Sequence, residues 1–287
     1  MKRLTYLSIF IIIAGLTGIL PASIIEPKEP GILEVHYTKT WTTDTLTRAK
    51  SKYHSEPTVL RIGKTSAMFY PKKAMWWDSL RINDSEKAYE LQKATAMAQN
   101  LAHPYYANLG GKDSEYIFRN IKPGMTQGFF SIGSEKSTYI EPTEYPVWEI
   151  DSITKEILGY ECIHAKCSFR GREWDAWFTP EIPYKEGPWK LAGLPGLILE
   201  AYDTYMDYHY VANSIFTENL KSVGMLYYCR SDPFFYKSRQ NMLKKNYRER
   251  LQGNRIFQLQ LNYGSKDRTY KPVIWHYDFQ ETDYPHE

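Results

Sequence analysis

From Gly31 onward the chain consists of short runs rich in aromatic and β-branched residues, separated by polar or glycine-containing breaks, which is the pattern of strands. Ile32 to Thr40, Thr58 to Ile62 and Thr65 to Tyr70 are the first three. A helix is expected next. Asn83 followed by Glu86 has capping-box spacing, and Ala88, Leu91, Thr95, Ala98 and Ala102 recur at helical intervals until His103-Pro104 ends the run. Strand-like runs resume at Tyr116 to Ile121, Gln127 to Ile132, Ser137 to Glu141 and Val147 to Ile150, punctuated by Pro123-Gly124, Gly133-Ser134 and Pro142. A second helix is signalled by Asp232-Pro233 at its start and Gly253 at its end. Its apolar stripe is Leu243, Tyr247 and Leu251, and Lys237, Arg239, Lys244, Lys245, Arg248 and Arg250 crowd the remainder. Such a helix either rests on anionic lipid or presents a solvated face above a core stripe, and the pattern leaves both open.

The stretch from Gly159 to Pro180 specifies a hairpin in detail. With Arg170-Gly171 as a two-residue turn, Phe169 faces Arg172, Cys167 faces Trp174, Ala165 faces Ala176 and Ile163 faces Phe178 on one, apolar side. On the other side Ser168 meets Glu173, Lys166 meets Asp175, His164 meets Trp177 and Cys162 meets Thr179, so an opposite-charge pair falls into register. A one-residue slip would bury the charges. The corner that follows is Gly193-Leu194-Pro195-Gly196-Leu197-Ile198. Its Leu-Pro-Gly-Leu centre suits a type II turn, with Gly196 supplying the positive φ. Leu194 and Pro195 then form either a stiff lip for an apolar pocket or an ordinary buried turn. Leu197 to Tyr202 and Tyr208 to Phe216 continue as strands.

Met1-Lys2-Arg3 followed by the apolar run Leu4 to Leu20 and by Pro21-Ala22-Ser23 has the layout of a secretory signal, expected to be cleaved near Ala22. No cysteine follows the run for a lipid anchor, so the mature protein is expected in the periplasm or outside the cell. The expected organisation is a signal over 1–22, one β-rich domain over 31–270 and a loosely ordered tail over 271–287.

The aromatic content of 15% strengthens the lean towards β. Without Lys2 and Arg3 the 36 basic residues fall to 34 against 33 acidic, a balance that calls for no nucleic acid partner. Cys162 and Cys167, five apart on a strand, lie about 16 Å from each other on opposite faces, beyond the roughly 7 Å reach of a disulfide. Any bridge therefore uses Cys229; three buried thiols are the alternative. No G-x-S-x-G elbow, H-E-x-x-H helix or phosphate loop occurs, so no catalytic residue or cofactor is assigned. His164 and Cys162 could supply two metal ligands, but His36, His103, His209 and Glu161 offer no matching spacing, and no metal site is assigned. Arg170 and Arg172, beside Asp175 and Trp177, could hold a carboxylate or phosphate; turn and cross-strand pairing explain the same residues without a ligand.

The run Ile153 to Cys162, then Phe169-Arg170-Gly171-Arg172, Ala176 to Pro183, Gly187-Pro188 and Gly193 to Ile198 closely resembles the GLPGLI family, named for the last motif. That resemblance spans Trp148 to about Asp203 and implies a secreted or envelope protein of double-membraned bacteria, with no activity attached. In architecture, the succession of strands, an early helix and the Gly-Tyr-x-Cys hairpin is similar to the lipoprotein-carrier superfamily. This implies a mainly β fold of α+β type: a curved antiparallel sheet or half-barrel with two or more helices packed on it.

Three functions follow as expectations. The first is non-catalytic binding or carriage of a lipid or other amphiphile, with Arg170, Arg172, Trp177, His164, Leu194 and Pro195 as contacts. The second is an envelope protein that docks on a protein or membrane surface. The third is a hydrolase in which His164 approaches a carboxylate. The sequence does not set the oligomeric state.

Overall fold

The computed structural model describes residues 25–42, 45, 48, 52–98, 114–132, 135–226, 234–251 and 279–285. The expected signal segment, Asp232-Pro233, Gly253 and Cys229 lie outside these. The first strands are β1 (Ile25–Glu29), β2 (Leu33–Thr42), β3 (Tyr53–Ile62) and β4 (Ala67–Pro71). Helices α1 (Lys72–Asn83) and α2 (Ser85–Ala98) follow, then β5 (Ser114–Arg119), β6 (Met125–Ile132) and β7 (Glu135–Pro142). The remainder comprises β8 (Glu149–Ile157), β9 (Tyr160–Phe169), β10 (Arg172–Thr179), β11 (Leu197–Asp203), β12 (Tyr208–Phe216), β13 (Val223–Leu226), β14 (Phe234–Phe235) and helix α3 (Arg239–Leu251).

Twelve strands form one curved sheet in the order β14-β7-β6-β5-β4-β3-β2-β12-β11-β10-β9-β8, and β1 pairs with β13 as a separate ribbon. Every pairing in the large sheet is antiparallel except β14 with β7, so the sheet is mixed at one edge. The β-rich class with helices packed on a curved sheet is therefore the observed architecture.

Alternation along the strands divides the sheet into two faces. One carries the largest core, in which Val35, Tyr37, Leu60, Trp174, Leu199 and Tyr210 meet Trp189, Leu191 and Leu194 from the β10–β11 connection. The curvature is tied across this core: Tyr37 Oη on β2 donates to the Ile198 carbonyl on β11 at 2.7 Å, and Arg119 on β5 donates to the carbonyls of Gly187 and Trp189. The opposite face packs Val59, Met68, Tyr70, Tyr116 and Phe129 against Ala74 of α1. A third cluster joins Phe130 and Tyr139 to Met242 and Leu243 of α3 and to Phe279 and Tyr284. Phe130 is two residues from Gly128, the partner of Ile117, so this cluster lies on the same face as the largest core.

The helices correct the sequence expectation in two places. The early helical region is two helices, and Asp84 rather than Asn83 caps the second, its Oδ1 accepting the Lys87 N–H at 3.0 Å. Helix α1 lacks an apolar stripe because its buried face includes Asp78, which accepts a hydrogen bond from Tyr116 Oη. The later helix begins at Arg239, where Ser238 Oγ accepts the Asn241 N–H at 3.2 Å. Its Leu243 is buried as expected, but Arg239, counted among the basic residues outside the apolar stripe, is buried as well. The tail expected to be loosely ordered is packed over residues 279–285, where Phe279, Gln280, Glu281 and Tyr284 are all buried.

Candidate functional site

The β9–β10 hairpin adopts the expected register, with Cys167 opposite Trp174, Lys166 opposite Asp175 and His164 opposite Trp177. Its turn places Arg170 at φ 54° and Gly171 at φ 80°, the left-handed pair of a type I′ turn that matches strand twist. The predicted site residues separate into three places around this hairpin.

His164 and Trp177 remain together, with ring centroids 4.7 Å apart, but both are buried rather than displayed on a solvated face. Strand β8 accounts for that: Asp151 and Lys155 reach over the pair from the neighbouring strand. The His164 ring lies between two carboxylates, Nδ1 at 2.7 Å from Asp151 and Nε2 at 2.9 Å from Asp175. The hydrogen bond from His164 holds the Asp151 carboxyl below its ordinary range. Lys155 Nζ sits 4.2 Å from the Trp177 ring centre and pairs with Glu200, which also bonds His209 at 2.8 Å. Burial opposes ionisation of Glu200, yet the His209 and Lys155 contacts outweigh it and lower its pKa. With both ring nitrogens of His164 bound to carboxylates, neither is open to a substrate proton.

Arg170 and Arg172 diverge from this pair. Arg172 projects into the core, where Nη1 donates to Asp203 at 2.8 Å and Asp207 at 3.1 Å. Its Nε and Nη2 each donate, at 2.9 Å, to the main-chain carbonyls of Gln280 and Phe279. Arg170 faces Glu141 and Glu144, each at 3.1 Å, with Glu281 and Asp283 just beyond. The arginine pair does hold carboxylates, and they are the protein's own.

Lys190, Glu141, Arg239, Glu281 and Asp283 complete this network, and sequence reasoning missed all five. Lys190 Nζ donates to Glu141 at 3.0 Å and to Glu281 at 2.7 Å. Arg239 grips both oxygens of Asp283 at 2.7 Å and pairs with Glu281 and Glu141. Burial alone would raise the Glu141 pKa, but Lys190 and Arg170 pull it below its ordinary value. Asp283 is lowered likewise, burial being outweighed by Arg239. Lys190 stands just before an apolar run and Glu141 near the end of a strand, so no local signal marked either.

Leu194 and Pro195 lie apart from both groups. Leu194 is buried in the main core, and Pro195 is exposed. Gly196 does not have the positive φ expected of a type II turn; the left-handed glycine is Gly193, at φ 98°. Gly196 is needed instead for close approach, because a Cβ there would collide with the Thr179 carbonyl. Ile198 then offers its carbonyl to Tyr37, so the motif is a structural corner that seats β11.

Cys162 and Cys167 are buried free thiols, and burial pushes them up to about 11 and about 12, away from nucleophilic chemistry. Among the described residues no group of three or more His, Cys, Asp or Glu is arranged to hold a metal ion. A cavity of about 20 Å³ lies between Phe130, Tyr208, Leu243 and Gln280. A cleft of about 390 Å³ opens beside Arg48, Glu173, Asp203, Tyr205 and Asp207.

Residues 170–200 match a family model described as a protein of unknown function (Porph_ging). The match covers the hairpin turn, β10 and the corner into β11, the part of the chain that carries Arg170, Arg172, Lys190 and Leu194. No curated protein matches the chain. Among solved structures, PNGF-II in space group P21 is similar at 15% identity and a TM-score of 0.44, over 72% of this chain and 32% of that one. The C2 form gives 15% identity and a TM-score of 0.45, over 74% and 32%. The chain thus spans about a third of the length of those structures.

Proposed function

We propose that this chain is an exported, non-catalytic interaction protein of the cell envelope whose partner is a polypeptide. The observation that carries the reading is the state of the curved face, where an amphiphile carrier would keep an open apolar hollow. The β10–β11 connection, α3 and residues 279–285 pack onto that face. The cavity left where α3 and residues 279–281 meet the sheet, about 20 Å³, is the size of one water. The larger cleft places Arg48, Arg172, Glu173, Asp203 and Asp207 beside Tyr205 and three threonines, and covering those charges with an acyl chain would be costly. The engaged ring of His164 and the buried thiols supply no base or nucleophile for a hydrolase. Export is supported by the basic, apolar and small-residue succession of Met1 to Ser23.

The test is mass spectrometry of an organic extract of the mature protein, purified without detergent from its own envelope beside an unrelated exported control. An extract indistinguishable from the control is expected. A stoichiometric amphiphile would overturn the interaction reading in favour of carriage. The same sample, measured intact, is expected to begin near Ser23; retention of Met1 would refute cleavage.

A further inference from the structure

We infer that the curved face contains a receptor groove for an extended acidic polypeptide with aromatic ends, and that residues 279–285 of the chain occupy it in cis as a resident competitor. The inference rests on the interaction reading above and supplies its site and the chemistry of its partner.

Charge arithmetic in the groove is the first support. Lys190, Arg239 and Arg170 converge from a loop, a helix and a turn, and Lys190 and Arg239 are only 4% exposed. Among the described residues outside the segment, the carboxylate that pairs with all three is the half-buried Glu141; Glu144, on Arg170, is largely exposed. Without the segment these three cations share that one carboxylate, and the segment brings two more, Glu281 and Asp283. An excess of buried positive charge over its counter-charge is strongly unfavourable, so an empty groove would select an acidic occupant.

The second support is that the groove reads main chain as well as side chains, as a peptide site does. Arg172 donates to two successive carbonyls of the segment, and the Thr282 N–H donates to the Arg170 carbonyl at 3.0 Å. Aromatic side chains close both ends: Phe279 meets Phe130 edge-on at 6.1 Å, and Tyr284 meets Tyr247 at 5.8 Å. None of these contacts requires the occupant to belong to the same chain.

A tethered competitor acts at an effective concentration on the order of millimolar, so weakening it should uncover binding in trans. The probe is a fluorescent peptide with the sequence of Phe279 to Pro285, titrated by anisotropy against the full chain and against a full chain carrying Glu281→Gln and Asp283→Asn. Saturable binding at least tenfold tighter to the substituted chain is expected, lost by at least tenfold when Arg239→Gln is added. Equal binding to both chains would overturn the inference, as would equal affinity for a peptide with Gln and Asn in place of its two acids. Asp283→Asn alone, at a position that is 30% exposed, is expected to give an intermediate gain, and its failure to do so counts against the groove even if the double variant misfolds. No peptide binding together with a clean organic extract would overturn the groove and leave the interaction reading standing, whereas a bound amphiphile would overturn that reading itself.

Discussion

Replacing Arg172 with alanine removes four hydrogen bonds at once: two to the buried carboxylates of Asp203 and Asp207, and two to the main chain of residues 279 and 280. Asp207 keeps Arg48, which holds both its oxygens at 2.8 Å, but among the described residues Asp203 is left with one main-chain donor, the Tyr208 N–H at 2.8 Å. Breaking a buried pair from one side costs about 3–5 kcal/mol, most of it the penalty of the stranded charge. For a domain of this size that corresponds to a fall of ~10 °C in Tm. The pH dependence identifies the cause. Burial already raises the Asp203 pKa against the opposing pull of Arg172, so losing the arginine raises it further. A carboxyl whose folded pKa lies above its unfolded value favours the folded state when protonated, so the loss should shrink as pH falls from 7 towards 5. Urea unfolding of both proteins at the two pH values measures this. A loss under 1 kcal/mol, or one that does not change with pH, would refute the reasoning that Arg172 acts by neutralising buried Asp203.

Three further outcomes follow from the same geometry. Gly196→Ala forces a Cβ against the Thr179 backbone and should cost about 1–3 kcal/mol in a thermal melt, whereas a neutral effect would mean that the corner relaxes freely. Glu141 and Asp283 have folded pKa values below their unfolded ones, so their stabilisation is full at neutral pH and is lost as pH falls through those lowered values. Urea midpoints from pH 7 to 3 should therefore hold down to the ordinary carboxylate range and then drop, and Asp283→Asn should lessen the drop. Cys162 and Cys167, with thiols at about 11 and about 12, should resist a thiol reagent at pH 8 in the native protein and react promptly in guanidinium, and fast native labelling at either would contradict their burial.

The features legible in the sequence are those in which cause and consequence lie close together in the chain. The β9–β10 register was readable because a two-residue turn and a period-two alternation are local, and a slip would exchange the buried and charged faces. The stripe residue Leu243 was found for the same reason. Helix α1 was not, since its buried Asp78 is made acceptable by Tyr116, 38 residues later. The roles of the arginines were only half visible. That Arg170 and Arg172 would meet carboxylates or similar acceptors follows from guanidinium chemistry, but tertiary structure alone decided that the acceptors are Glu141, Asp203 and Asp207, together with main-chain carbonyls of residues 279 and 280. Lys190 with Glu281, and Arg239 with Glu141, are separated by 91 and 98 residues. No local period can encode such pairs, because the energy that makes burial of each charge tolerable comes from a partner that only the completed fold brings within reach.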